Sequence, residues 1–161
     1  MGMKPLPFFV YGTLLPNQPN YYQWQEAVVD VQPATLPNAT LYDMGSYPML
    51  IEQPESFVTG AIIEIAPDQY DAVLQRIDTL ENYHPDDEAQ SMYLRRTRTV
   101  IKTDGSECSA MVYIGQPQYV FALEPIGADW VSYTRDTMTE IMRRWDEYNE
   151  RGDGDLTTLQ K

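Results

Sequence analysis

The chain has 161 residues, of which 43% are hydrophobic, enough for one compact domain whose core needs no disulfide. Eleven Lys and Arg residues stand against 24 Asp and Glu residues, so the net charge is -13 at pH 7. This charge disfavours nucleic acid and anionic membranes as partners, and an anionic small substrate would need local donors such as backbone N–H groups. We predict a single domain over residues 1–150 and a polar C-terminal tail over residues 151–161.

The cysteine content and the hydropathy of the sequence indicate in which cellular compartment the protein works. Cys108 is the only cysteine, so no intrachain disulfide can form, and a reducing compartment fits best. The N-terminal residues lack the pattern of a signal peptide, and no stretch approaches the roughly 20 apolar residues of a membrane span. We therefore expect a cytoplasmic protein with no membrane partner, and the sequence leaves open whether it is a monomer or a homodimer.

The N-terminal part of the chain carries strand patterns. Residues 8–11 form a short aromatic and β-branched run that ends at Gly12, which is typical of a buried strand leading into a tight turn. A looser alternation covers residues 36–44, and the apolar run 58–65 is closed by Pro67. Three strands are predicted in this region.

The periodicity changes at Pro67. Apolar side chains recur at helical spacing over residues 70–80, and the proline suits the first turn of an amphipathic helix. Residues 93–103 and 107–114 are rich in strand formers, and the Asp-Gly-Ser sequence at 104–106 between them is a strong hairpin signal.

A second helical pattern covers residues 130–148, which Asp129 could cap. Along the whole chain, helices do not alternate regularly with strands, which argues against a parallel α/β sheet. We predict the α+β class, with helices packed on a small, mostly antiparallel mixed β-barrel.

Glu81 is an acidic residue on the apolar stripe of the first predicted helix. Counting about 100° per residue from Tyr70 places it in the middle of the stripe that contains Val73, Ile77 and Leu80. A carboxyl at such a position needs hydrogen-bond donors, a raised pKa or an open cavity, and each of these suits a general acid/base. The alternative is that the helix ends before Glu81, whose side chain then turns to solvent or caps a neighbouring loop.

The segment Tyr11, Gly12, Thr13 and Leu14 follows the first predicted strand. Glycine there would let the backbone approach a ligand closely or present successive N–H groups to an anion. The alternative is an ordinary turn at the end of a strand. Tyr113 ends the last hairpin strand, where the pattern by itself is that of a core aromatic residue.

Other routes to catalysis have little support in the sequence. His84 is the only histidine, and it lies in the acidic run 84–88, which we expect to be exposed to solvent. That run lacks the spacing of a calcium loop or a zinc motif, and no glycine-rich phosphate-binding pattern is present. We predict neither a metal nor an organic cofactor.

Taken together, several segments resemble the gamma-glutamyl cyclotransferase-like family, which includes gamma-glutamylamine cyclotransferases and plant AIG2-like proteins. The similarity spans roughly residues 8 to 130, and no segment is specific by itself, but several in the same order are hard to obtain by chance. The segments are residues 9–15, 41–48, 58–61, 77–83, 93–96, 110–113 and 127–130.

The resemblance implies a barrel-like α+β fold with a cavity at one end. It also implies that Glu81 is the general acid/base, that residues 11–14 form the substrate loop and that Tyr113 lines the cavity. The implied reaction is attack of the α-amine of a gamma-glutamyl group on its own side-chain carbonyl, which releases 5-oxoproline and an amine without a metal or cofactor.

The sequence departs from the family pattern beside the expected site. Asn82 stands where many members have glycine, and an acidic insertion over residues 84–91 lengthens the adjacent loop, which puts the size of the substrate in doubt. The leaving amine, including whether glutathione is a substrate, stays open. The alternative function is a non-catalytic small-ligand-binding or interaction domain of the same fold.

Overall fold

The computed structural model describes residues 5–150, and its central feature is a β-sheet that closes into a barrel. The strands are β1 (Phe8–Val10), β2 (Val28–Asp43), β3 (Pro48–Ile65), β4 (Tyr93–Lys102), β5 (Glu107–Gly115) and β6 (Pro125–Gly127). Their order is β3-β1-β5-β4-β2-β6, and β2 also pairs with β3, so β1 to β5 form a closed barrel with β6 on the edge of β2. The pair β1 and β5 is parallel, whereas the other pairs are antiparallel. The predicted α+β class and mixed barrel are confirmed.

Two α-helices accompany the barrel. Helix α1 (Tyr70–Leu80) follows a turn of 3-10 helix over Pro67–Gln69, in agreement with the helical spacing of the sequence. The chain divides into two compact units, of which the first ends at Trp130 and the second begins at Val131. Helix α2 (Trp130–Glu150) begins at the last residue of the first unit. Within residues 5–150, neither helix is long and apolar enough to cross a membrane. The domain boundary at residue 150 stays a prediction, and the proposed tail over 151–161 lies outside the described residues.

The core of the barrel is centred on the aromatic ring of Phe8 in β1. Its ring centroid lies 5.4 Å from that of Trp24, 5.8 Å from that of Tyr70 in α1 and 6.4 Å from that of Tyr113 in β5. Phe8 is fully buried, so these contacts join the shortest central strand to a helix and to a neighbouring strand in one apolar cluster.

Strands β2 and β3 form one long hairpin that extends beyond the two predicted segments, residues 36–44 and 58–65. The register shifts after Pro37, where Asn38 (φ 60°) and Glu55 (φ 67°) adopt left-handed conformations. Proline and a bulge both interrupt the alternation of apolar and polar residues. The sequence pattern therefore revealed only one half of each strand.

Gly60 in β3 lies beside the end of β1, the strand with which β3 pairs. A Cβ atom on Gly60 would be 2.1 Å from the carbonyl oxygen of Val10, and a backbone atom cannot rotate away. Gly60→Ala is expected to lower the free energy of unfolding, measured by urea denaturation, by about 1–3 kcal/mol through overpacking. The control is Ser109→Ala at an exposed position of β5, which should change it by less than about 0.5 kcal/mol. A Gly60→Ala protein as stable as the wild type would contradict this close contact.

Candidate active site

A cavity of about 450 Å³ lies at the end of the barrel where β1 and β5 end and β4 begins. All of the residues singled out from the sequence line it: Tyr11, Gly12, Thr13, Leu14, Glu81 and Tyr113. The other lining residues are Phe9, Val10, Pro19, Asn20, Ser46, Tyr47, Pro48, Leu80, Met92 and Tyr93. The fold thus joins an N-terminal loop, the end of α1 and the end of β5 around one space.

Glu81 is the residue that caps the C-terminus of α1. The helix ends at Leu80, and the Glu81 N–H still donates to the carbonyl oxygen of Ile77 at 2.9 Å. The next residue, Asn82, has a φ of 53°, a left-handed conformation that ends the helix. The helix therefore ends before Glu81, as in the alternative interpretation, but the side chain lines the cavity and is only partly exposed.

The Glu81 carboxyl has no hydrogen-bond or ion-pair partner among residues 5–150. No fully buried side-chain oxygen or nitrogen in that range lacks a partner, so the carboxyl oxygens must reach the open space of the cavity. Burial against the surrounding walls raises the pKa of Glu81 from its ordinary 4.5 to about 7. A carboxyl with such a pKa can both accept and return a proton near neutral pH.

The carbonyl groups of the loop over residues 11–14 accept hydrogen bonds from residues that follow in the chain. The carbonyl oxygen of Gly12 accepts from Leu15 N–H at 3.1 Å, and that of Thr13 accepts from Asn20 N–H at 2.8 Å. The indole N–H of Trp24 donates to the carbonyl oxygen of Leu14 at 3.2 Å. These bonds fix the loop without using its N–H groups.

The N–H groups of Gly12, Thr13 and Leu14 donate to no acceptor within the described part of the chain. All three residues line the same cavity as Glu81, so successive N–H groups without a partner belong to a segment of the cavity wall. Successive backbone N–H groups of this kind can bind a carboxylate or an oxyanion.

Gly12 is required by packing against Pro48. A Cβ atom at Gly12 would lie 2.4 Å from Pro48 Cγ and 2.7 Å from its Cδ, which is closer than atoms in proteins pack. The absence of a Cβ at Gly12 thus allows the loop to approach β3, and the prediction that this glycine also lets a ligand approach the backbone stays a prediction.

The tyrosine hydroxyls of the cavity are tied to protein acceptors. Tyr11 donates to the Tyr113 carbonyl oxygen at 2.6 Å, and Tyr93 donates to the Pro48 carbonyl oxygen at 2.8 Å. Burial, with a smaller contribution from the Glu81 charge, raises the pKa of the Tyr11 phenol well above its ordinary value. These hydroxyls remain protonated near neutral pH and hold the walls in place.

Asp78 and Arg95 support the cavity and were not singled out from the sequence. Tyr113 donates its hydroxyl to Asp78 Oδ1 at 2.6 Å, and Arg95 donates Nε to Asp78 Oδ1 at 2.9 Å and Nη2 to Oδ2 at 3.2 Å. The guanidinium also lies 5.3 Å from the ring centroid of Tyr83. Asp78 lies three residues before Glu81 on the apolar stripe, so the same periodicity could have identified it.

The acidic loop after Glu81 contributes other contacts. His84, Asp86 and Asp87 are exposed, whereas Glu88 pairs with Arg96 at 2.8 Å. Across the described residues, no group of three or more His, Cys, Asp or Glu side chains is placed to hold a metal ion.

The sequence of residues 8–132 matches the family model described as "Gamma-glutamyl cyclotransferase, AIG2-like", which covers more than half of the chain. The chain belongs to this family. None of the curated proteins matches it.

Solved structures share the fold of this cyclotransferase-family chain. YkqA from Bacillus subtilis aligns with a TM-score of 0.62 and 18% identity over 83% of this chain, which spans only 42% of that protein. An AIG2-like protein from Mus musculus aligns with a TM-score of 0.56 and 24% identity over 76% of this chain and 86% of its own. A protein described as gamma-glutamyl cyclotransferase aligns with a TM-score of 0.51 and 16% identity, over 74% of this chain and 69% of its own. At these identities the similarity shows the fold alone.

The raised pKa of Glu81 predicts a dependence of stability on pH. Between pH 4.5 and about 7 the folded protein holds a proton at Glu81 that the unfolded chain has lost. The free energy of unfolding of the wild type should therefore fall, relative to Glu81→Gln, by about 1–3 kcal/mol as pH rises through this window. Urea denaturation of both proteins from pH 4 to pH 8 measures the difference. A difference that stays constant across the window would assign Glu81 an ordinary pKa.

The pair of Asp78 with Arg95 predicts a second effect on stability. Asp78→Ala removes the acceptor of Tyr113 and leaves a partly buried guanidinium unpaired, so we expect a loss of about 2–4 kcal/mol in chemical denaturation. The matched control is Asp71→Ala on the exposed face of the same helix, for which a loss below about 1 kcal/mol is expected. Equal losses in the two variants would show that the pair contributes nothing beyond an exposed charge.

Proposed function

We propose that this protein is a gamma-glutamyl cyclotransferase that releases 5-oxoproline and a free amine from a gamma-glutamyl amine or peptide. One observation carries the proposal: Glu81 and residues 12–14 line the same cavity, and the Glu81 carboxyl and the N–H groups of residues 12–14 have no partner within the described part of the chain. A proton acceptor and an anion-binding loop are the two elements that this cyclisation needs from a protein.

The reaction begins with the α-ammonium of the substrate. Glu81 accepts one proton from it, and the neutral amine then attacks the γ-carbonyl carbon of the same glutamyl group. The new C–N bond closes a five-membered ring, and the carbonyl oxygen becomes an oxyanion. Because nucleophile and carbonyl belong to one molecule, the enzyme mainly has to fold the substrate back on itself.

Collapse of the tetrahedral intermediate breaks the bond from the γ-carbon to the leaving nitrogen. Protonated Glu81 donates to that nitrogen, and the ring nitrogen loses its remaining surplus proton, which protonates the released amine through Glu81 or water. The products are 5-oxoproline and an ammonium, so protons balance and no water is consumed. In this scheme residues 12–14 hold the substrate carboxylate or the developing oxyanion, and the phenol groups of Tyr11 and Tyr113 hold the wall.

A non-catalytic binding domain of the same fold is the alternative. The unpaired Glu81 carboxyl is evidence against this alternative. An ionised group in an apolar wall lowers the stability of the fold, and a domain that only binds a ligand would be more stable with an apolar side chain at this position. The alternative predicts binding of a gamma-glutamyl compound without release of 5-oxoproline.

The decisive variant is Glu81→Gln, which keeps the size of the side chain and removes the proton acceptor. We expect kcat to fall by about two to four decades while substrate affinity, measured by calorimetry, is retained. The assay is release of 5-oxoproline from gamma-glutamyl amines, gamma-glutamyl dipeptides, glutathione and epsilon-linked gamma-glutamyl-lysine. For the wild type, kcat/KM should rise with pH through an apparent pKa near 7.

The matched control is Glu107→Gln, an exposed acid on β5 outside the cavity, which should keep full activity. Unchanged turnover in Glu81→Gln would remove Glu81 from the mechanism. Folded wild-type protein that binds these compounds and releases no 5-oxoproline from any of them would favour the binding domain.

A further inference from the structure

Helix α2 carries a row of large apolar side chains that are exposed to solvent. Met138, Ile141, Met142 and Trp145 occupy positions i, i+3, i+4 and i+7, so they share one stripe of the helix, here called the α2 stripe. Their exposed fractions run from 44% at Trp145 to 59% at Met142. A continuous row of exposed apolar side chains marks a surface on which another molecule packs.

Most of the arginine side chains of α2 are paired within the helix, away from the centre of this stripe. Arg143 pairs with Glu140 at 2.6 Å and also with Glu147, and Arg144 pairs with Glu140 at 3.1 Å. Pairs at this spacing stabilise the surface of the helix to which they belong. The charged face therefore needs no other molecule, which leaves the α2 stripe as the face on which a partner would pack.

Two charged residues beside the stripe stand apart from these pairs. The Arg135 guanidinium has one ion-pair contact, with the neighbouring and equally exposed Asp136 at 3.7 Å. Asp146 has no hydrogen-bond or ion-pair partner among residues 5–150. Arg135 and Asp146 are about three helical turns apart in the chain, so they lie on the same edge of the stripe, one toward each end. This edge is therefore positive at one end and negative at the other.

Such an edge is complementary to itself in an antiparallel pair of helices. A two-fold axis through the middle of the stripe places Arg135 of one copy level with Asp146 of a second copy, and the reverse pair forms at the other end. In a parallel pair, opposite edges of the two helices face each other, and Arg135 would lie level with the uncharged Thr137. The charges thus favour the antiparallel arrangement.

The net charge of the chain is also distributed so that two copies can meet at α2. The helix contains three arginines and five acidic residues, so it carries only -2 of the net charge of -13. Electrostatic repulsion between two acidic chains is weakest where the local charge is small. Helix α2 is therefore a place where a second copy can approach in spite of the acidic composition.

We propose that α2 is a self-association surface, on which the stripes of two copies pack as an antiparallel helix pair flanked by two ion pairs between Arg135 and Asp146. One helix from each copy buries less than the about 1,200–2,000 Å² of a standard stable interface, so we expect a dissociation constant in the micromolar range. The inference does not depend on the proposed cyclotransferase activity, and its test needs no substrate.

Sedimentation equilibrium of the full chain, from about 1 to about 300 μM, measures the association. We expect a monomer–dimer equilibrium in the wild type and a dissociation constant at least about tenfold higher in Met142→Glu, which places a carboxylate in the apolar contact. The matched control is Thr139→Glu, which adds the same charge at an exposed position of α2 outside the stripe and should keep the wild-type constant. Both positions are exposed, so neither change removes a core contact.

A wild type that stays monomeric over this range would overturn the proposal and leave the stripe to a different protein. Equal dissociation constants in Met142→Glu and Thr139→Glu would overturn it as well.

Charge reversal tests the antiparallel arrangement. Arg135→Glu and Asp146→Arg each place like charges at both ends of the helix pair, so each should raise the dissociation constant about three- to tenfold. The double variant restores both ion pairs with reversed sign and should return the constant to within about twofold of the wild type. The two single changes shift the net charge of the chain in opposite directions, so a loss common to both cannot come from net charge. A double variant as weak as the single variants would overturn the proposal.

Discussion

The site depends on the pairing of β1, a strand of three residues, with its two neighbours. β1 runs antiparallel to β3 and parallel to β5, and this parallel contact closes the barrel. The chain leaves β1 directly into residues 11–14, so closure places this loop at the same end of the barrel as the end of β5. The hydroxyl of Tyr11 then donates to the carbonyl oxygen of Tyr113 at 2.6 Å, which fixes the loop to the neighbouring strand β5. Since Phe8 anchors β1 in the core, the position of the loop follows from core packing.

Polar groups around the cavity fall into two classes. Asp78, Arg95 and the tyrosine hydroxyls all have partners, which makes the wall rigid. The Glu81 carboxyl and the N–H groups of residues 12–14 have none within the described chain, and these residues line the same cavity. An unpaired group in a well-paired surrounding costs stability, and it is the arrangement expected where a ligand supplies the missing partners. The paired groups thus support the unpaired ones at fixed positions.

Much of this arrangement was accessible from the sequence because it follows local patterns. The stripe over residues 70–80 places Glu81 toward the interior, and the run that ends at Gly12 indicates a strand leading to a loop. Contacts between segments that are distant in the chain could not be predicted from the sequence. The bond from Arg95 to Asp78 depends on how β4 packs on α1, and the conformation of the loop depends on the bonds that Asn20 and Trp24 donate to the carbonyl groups of Thr13 and Leu14. The extent of β2 and β3 was missed because proline and a bulge hide the alternation.

The residues that line the cavity come from two kinds of segment. Glu81 and residues 12–14, the proposed acid/base and the proposed anion-binding loop, are held by the end of α1 and by the barrel, where a substitution would disturb core packing. Three other lining residues lie in connections between strands: Tyr47 in the turn between β2 and β3, Met92 just before β4, and Pro19 in the loop that follows β1. Segments that connect strands tolerate changes in side chain and length better than the strands themselves. These connecting segments can therefore change the shape of the cavity while Glu81 and residues 12–14 keep their positions.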